Sequence, residues 1–108
     1  MASGKNHAYI VQVDGQFKVR PAVASVDQGQ HQRFWIRNVC GWPARVEVDP
    51  AMVHANTPKS RNVADGAPVD FRLAADASGA FPYEVWVDLD GVWVPAQGES
   101  DPVIIIDP

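Results

Sequence analysis

The chain is predicted to be all-β, a single antiparallel Greek-key β-sandwich, and three features predict it. Val, Ile, Phe, Tyr and Trp arrive in short runs separated by Gly, Pro, Asp and Asn clusters. No stretch repeats apolar residues at helical spacing for more than two turns. Asp-Gly and related pairs fall between runs, where Gly supplies the positive φ of a tight turn. With 108 residues, 46% of them hydrophobic, residues 1–108 form one domain with one core and need no disulfide or metal staple.

The strand-like runs, in order, are Tyr9 to Val13, Phe17 to Val19, Ala22 to Val26, His31 to Asn38, Ala44 to Val48, Pro68 to Leu73, Phe81 to Leu89, Val92 to Val94 and Val103 to Asp107. This many short strands with frequent turn signals suits a sandwich. Asp14-Gly15, Asp27-Gln28-Gly29, Ser78-Gly79 and Asp90-Gly91 are the turns. Residues 49–67 contain Pro50, Pro58 and scattered polar residues with no period, which predicts a long, mobile loop or a short helical turn. Pro102 and Pro108 bracket the last run, where their missing N–H groups discourage further pairing.

Two runs alternate cleanly enough to assign faces. In His31 to Asn38, Phe34 and Ile36 point inward and His31, Arg33, Trp35 and Arg37 outward. In Phe81 to Leu89, the inner set is Phe81, Tyr83, Val85, Val87 and Leu89, which leaves Glu84, Trp86 and Asp88 outside.

The net charge of −4 argues against a general nucleic-acid binder, which needs a positive field to displace counterions from phosphates. Cys40 is the single cysteine, so neither an intramolecular disulfide nor a C-x-x-C site can form, which favours a reducing compartment. No apolar run near the start is long enough for a signal-peptide core, and none later is long enough to span a bilayer. A cytoplasmic location without membrane partners is the expectation.

Phe17-Lys18-Val19-Arg20-Pro21, then Val26-Asp27-Gln28-Gly29-Gln30, then Phe34-Trp35-Ile36-Arg37-Asn38 resemble the first half of a cupredoxin. In that family a strand with a proline, a V-x-x-G turn and a strand ending in Asn precede the first copper histidine. Phe81-x-Tyr83-x-Val85 is similar to the family's aromatic-x-aromatic-x-Cys strand, and Val103 to Asp107 to its closing strand. An immunoglobulin-like sandwich is the second architecture these motifs fit. The resemblance implies a cupredoxin-like domain lacking the copper ligands. Blue copper takes two imidazoles, a thiolate and a weak axial thioether. Arg45 falls near the first histidine position, Val85 replaces the cysteine, and residues 86–98 contain neither His nor Met.

Cys40, in a turn-like Asn38-Val39-Cys40-Gly41-Trp42-Pro43 stretch, becomes a reactive thiol only if His54 or Arg45 approaches it; a lone Cys is more often a small buried hydrophobe. His7, His31 and His54 lack the close spacing of a zinc site. Asp88 and Asp90, with Glu99 and Asp101, are oxygen ligands of the kind calcium takes, but Asp90-Gly91 between valines reads first as a hairpin. Trp42 beside Pro43 reads as a core cap.

His31, Arg33, Trp35 and Arg37 form the main recognition candidate, since Trp and Arg bury broad flat surfaces and still offer donors. The plainer reading is a cation–π pair of Trp35 with Arg33 or Arg37, opposite Asp70 and Arg72 on a neighbouring strand. Trp86 and Trp93 form a second, aromatic and acidic candidate. With no catalytic constellation, the expectation is a non-enzymatic, cofactor-free module that binds a protein partner, or itself, through a sheet face, an edge or the long loop. The alternatives are a metal protein, using copper at Cys40 and His54 or calcium at Asp88 and Asp90, and a carbohydrate-binding module stacking sugars on Trp35, Trp86 or Trp93.

Overall fold

Residues 6–29, 32–96 and 102–107 are described by the structure, a computed structural model, as eleven strands with no helix among them. They are β1 (His7–Val13), β2 (Gln16–Arg20), β3 (Val23–Asp27), β4 (Arg33–Asn38), β5 (Ala44–Glu47), β6 (Ser60–Val63), β7 (Pro68–Arg72), β8 (Gly79–Pro82), β9 (Glu84–Leu89), β10 (Val92–Pro95) and β11 (Val103–Asp107). No helix among the described residues is long and apolar enough to cross a membrane.

The strands form three hydrogen-bonded sheets, ordered β2-β1-β4-β7, β10-β9-β5-β6 and β3-β11-β8. Their buried residues join in one core, built from Ile10, Phe34, Ile36 and Phe71 of the first sheet with Val46, Val85 and Val87 of the second and Ile104 and Ile106 of the third. The arrangement is a β-sandwich. Each fully buried side chain of this size contributes about 1.5–3 kcal/mol before conformational entropy is counted. Most ladders are antiparallel, but β1 runs parallel to β4 and β11 parallel to β3.

Turn chemistry sets the two tight hairpins. Asp14 (φ 52°) and Gly15 (φ 78°) join β1 to β2, and Asp90 (φ 53°) and Gly91 (φ 89°) join β9 to β10. Positive φ at both central residues is the type I′ geometry that matches strand twist. The Asp88 side chain accepts from Gly91 N–H at 2.8 Å and so completes the second turn.

Two segments depart from expectation. Phe81 to Leu89 is not one strand: β8 pairs with β11, β9 pairs with β5, and the chain changes sheet at Tyr83. Tyr83 N–H still donates to Pro102 O at 3.0 Å, but Pro102 has no N–H to return a bond, so the ladder with the β11 side ends there. Tyr83 remains buried, edge-on to Phe34 at 5.6 Å between ring centroids, whereas Leu89 at the far end is exposed. Nor is 49–67 one loop. Ser60–Val63 forms β6 against β5, Met52 and Val53 are buried, and Val53 bridges Leu73.

Asn38 is the buried polar residue of the described core. Its Nδ2 donates to the carbonyls of Trp42 (2.6 Å) and Val63 (3.1 Å), and its Oδ1 accepts from Cys40 N–H at 3.0 Å. The amide thereby shapes the turn after β4 and joins it to β6 on the opposite layer. Trp42 packs half-buried against the core, as the Trp-Pro pair suggests.

Candidate functional site

Register on the first sheet turns separate residues into rows, because direct cross-strand partners project to the same side. Arg20, Tyr9, Arg37 and Pro68 form one row across all four strands. His7, Trp35 and Asp70 form the next, and Arg33 and Arg72 the third. Phe34, Ile36 and Asn38 are buried between them in sequence, so Arg33, Trp35 and Arg37 face outward as their alternation predicts. His31, the fourth member of that set, lies outside the described residues.

Trp35 makes a different contact from the one the sequence suggests. Its ring stacks on His7 of β1, with centroids 6.5 Å apart and planes 13° from parallel, rather than under an arginine. Arg33 instead pairs with Asp70, and Arg37 donates from Nη1 to the Gly66 carbonyl at 3.0 Å. Asp70 and Arg72 do stand opposite Trp35 and Arg33. A shallow groove of about 310 Å³ runs beside this row, lined by His7, Tyr9, Trp35, Ile36, Arg37 and Pro68.

The face is strongly basic. Lys18, Arg20, Arg33, Arg37 and Arg72 occupy outward strand positions with a single carboxylate, Asp70, among them, in a chain whose net charge is −4. Composition conceals this polarity, because summing charges discards their positions. Tyr9, 44% exposed, belongs to the same surface and has no distinguishing sequence signal beyond its place in an alternating run.

The outer face of the second sheet has the opposite character. Trp86 stands between Arg45 on β5 and Pro95 on β10, while Trp93 stands opposite Asp88. The Arg45 guanidinium lies 5.0 Å from the centre of the exposed Trp93 ring, a cation–π contact, and its Nε is 3.4 Å from Glu47. Glu47 and Glu84 are direct partners. Trp86 and Trp93 thus do share a surface, with Arg45 as the group the sequence does not reveal.

The donors proposed for metals are not brought together. Cys40 follows the Asn38 end of β4, which bonds the chain just before β7, whereas His54 N–H bonds Arg72 O at the far end of β7. The span of β7 places them roughly 13 Å apart along the sheet at ~3.3 Å per residue. Cys40 is buried, its Sγ donates to Trp42 O at 3.3 Å, and burial pushes the thiol pKa up, away from a reactive thiolate. Arg45 points to the outer face and cannot activate it. Val85, at the cysteine position of the resemblance, is buried with an inert side chain. Asp88 is occupied by its turn, and Glu99 and Asp101 lie outside the described residues. Among the described residues no group of three or more His, Cys, Asp or Glu could share a metal ion. This donor set does not fit a cupredoxin copper centre.

Neither a protein-family profile nor a curated protein sequence matches the chain. Among solved structures, the chain is similar to a novel purple cupredoxin from Nitrosopumilus maritimus, with a TM-score of 0.57 at 11% identity over 94% of this chain and 98% of that one. The likeness establishes a cupredoxin-like fold.

Proposed function

We propose that this domain is a non-enzymatic recognition module whose basic, aromatic outer face on the β2-β1-β4-β7 sheet binds an acidic protein surface. The observation that carries the reading is the gathering of Lys18, Arg20, Arg33, Arg37 and Arg72 around Tyr9, His7 and Trp35 on one face of a net acidic chain. Aromatic and arginine side chains supply contact area and directed donors, and a concentrated positive field accelerates encounter with an acidic surface. A flat sheet face with a shallow groove suits a protein surface better than a small substrate, which takes a concave apolar pocket. The neighbour described as a purple cupredoxin lends the scaffold to this reading; the donor set of this chain lends no support to a copper role.

The test is affinity capture from the host's lysate with the wild-type domain and with the double variant Trp35→Ala/Arg37→Glu. An acidic protein retained by the wild type and lost by a folded double variant supports the reading. Equal capture by both assigns recognition to another surface. Recovery of nucleic acid in place of protein, abolished by the same variant and by salt, would replace the partner class. Self-association by sedimentation, lost in the variant, would identify the partner as the acidic face of a second copy.

A further inference from the structure

Three guanidiniums converge where β7 ends, and one carboxylate serves them. Arg33 and Arg72 are direct cross-strand partners, a like-charged pairing that is destabilising without a counter-charge nearby. Asp70 is engaged elsewhere: its Oδ2 accepts from Arg33, and its Oδ1 is 3.8 Å from Arg61 Nη1. Arg61, reaching across from β6, also donates to the Asp70 carbonyl at 3.0 Å. Arg72 is left over. Its Nε is shut off from solvent and has no hydrogen-bond partner among the described residues.

These groups border a groove of about 250 Å³ whose other wall carries His54, Asn56 and Thr57. Backbone bonds fix that wall: His54 N–H donates to Arg72 O and Thr57 N–H to His54 O, both at 2.8 Å. The His54 Nδ1 accepts from Asn56 N–H at 3.3 Å, so the neutral ring carries its proton on Nε2 and offers a donor. The groove therefore presents guanidinium, imidazole, amide and hydroxyl donors, and its arginines exceed its carboxylate by two positive charges.

The geometry points to a binding site for a phosphate monoester dianion in the groove between Arg33, Arg61 and Arg72 and the His54–Thr57 wall. A dianion balances the two surplus charges, whereas a carboxylate balances one. The planar arginine fork also matches phosphate oxygens, with charge-assisted bonds about twice as strong as neutral ones. The groove shares Arg33 and Arg72 with the recognition face but needs no protein partner, and it lies away from Trp35 and Arg37. It accepts the same group from a free small ester or from a phosphorylated side chain.

The experiment is titration of the ¹⁵N-labelled protein at constant ionic strength. The probes are phenyl phosphate, a phosphoserine peptide and, as a monoanionic control, dimethyl phosphate. Saturable amide shifts confined to residues 33–34, 54–61 and 70–73, with dimethyl phosphate at least ~10-fold weaker because it carries half the charge, support the site. Tighter binding of the ester or of the peptide then identifies the source. Arg72→Gln, still folded by its spectrum, is expected to weaken phenyl phosphate by a similar factor. Trp35→Ala/Arg37→Glu is expected to retain it, which separates this site from the partner-binding face. Equal response to monoanion and dianion, or shifts spreading over Lys18 and Arg20, overturns the proposal without recourse to any variant. So does undiminished affinity in Arg72→Gln.

Discussion

Asn38 and Val63 connect the two layers of the sandwich: the amide Nδ2 on β4 donates to the Val63 carbonyl on β6 at 3.1 Å, inside a core otherwise built of hydrophobic residues. The same side chain holds Cys40 N–H and Trp42 O. One amide thus decides how the chain leaves the first sheet.

Asn38→Leu is expected to be severely destabilising, because it removes three buried hydrogen bonds and takes the side-chain acceptor from Cys40 N–H, at about 1–3 kcal/mol for each lost bond. Urea unfolding should show a loss of at least ~3 kcal/mol. A loss below ~1 kcal/mol would mean that other groups replace those bonds.

Asp70→Asn removes the one carboxylate among Arg33, Arg61 and Arg72. The Arg33 and Arg61 side chains are 50% and 37% exposed, so solvent screens the pairs and the expected cost is only about 0.5–1 kcal/mol at low salt. The difference from wild type should shrink in ~1 M salt, where the Debye length is ~3 Å; a cost independent of salt would assign Asp70 a packing role instead.

Tyr83 is buried, its hydroxyl has no partner among the described residues, and burial raises the phenol pKa far above the usual tyrosine range. A raised folded pKa contributes stability that is complete below the unfolded value of ~10 and is lost as pH climbs toward the folded value. Stability should therefore fall as pH rises above ~10, with Tyr83 phenolate appearing at 295 nm only on unfolding. Tyr83→Phe should flatten that alkaline slope and leave the neutral-pH midpoint unchanged or higher, since it removes an unpaired buried hydroxyl. A midpoint lowered by more than ~1 kcal/mol would reveal a bonded hydroxyl.

Cys40 should resist thiol reagents at neutral pH and react at once in denaturant, because burial disfavours the thiolate that attacks. Rapid stoichiometric labelling of the native protein would contradict the closed turn around Asn38, Cys40 and Trp42.

Legibility in the sequence followed the range of the interactions. Alternation in Arg33 to Asn38 is local, so the outward set was readable, and Asp14-Gly15 and Asp90-Gly91 announced their hairpins because the turn conformation resides in those residues. The turn at Tyr83 was hidden within an unbroken alternation, since the residue that ends the ladder there, Pro102, is distant in sequence. β6 is not legible in the sequence, because Ser60-Arg61-Asn62-Val63 has little β character of its own and is a strand through its partner β5.

By itself the sequence determined an all-β chain, the inward set of Phe34, Ile36, Tyr83, Val85 and Val87, and the tight turns at Asp14-Gly15 and Asp90-Gly91. Tertiary structure alone decided the parallel pairing of β1 with β4, which placed His7 on Trp35 and Tyr9 beside Arg37. It also decided the approach of Arg61 to Asp70 and of Arg45 to Trp93. Side-chain direction along a strand is fixed by the backbone's period of two, but which strand lies alongside is set by long-range pairing, and a cluster of charges exists only once that pairing is made.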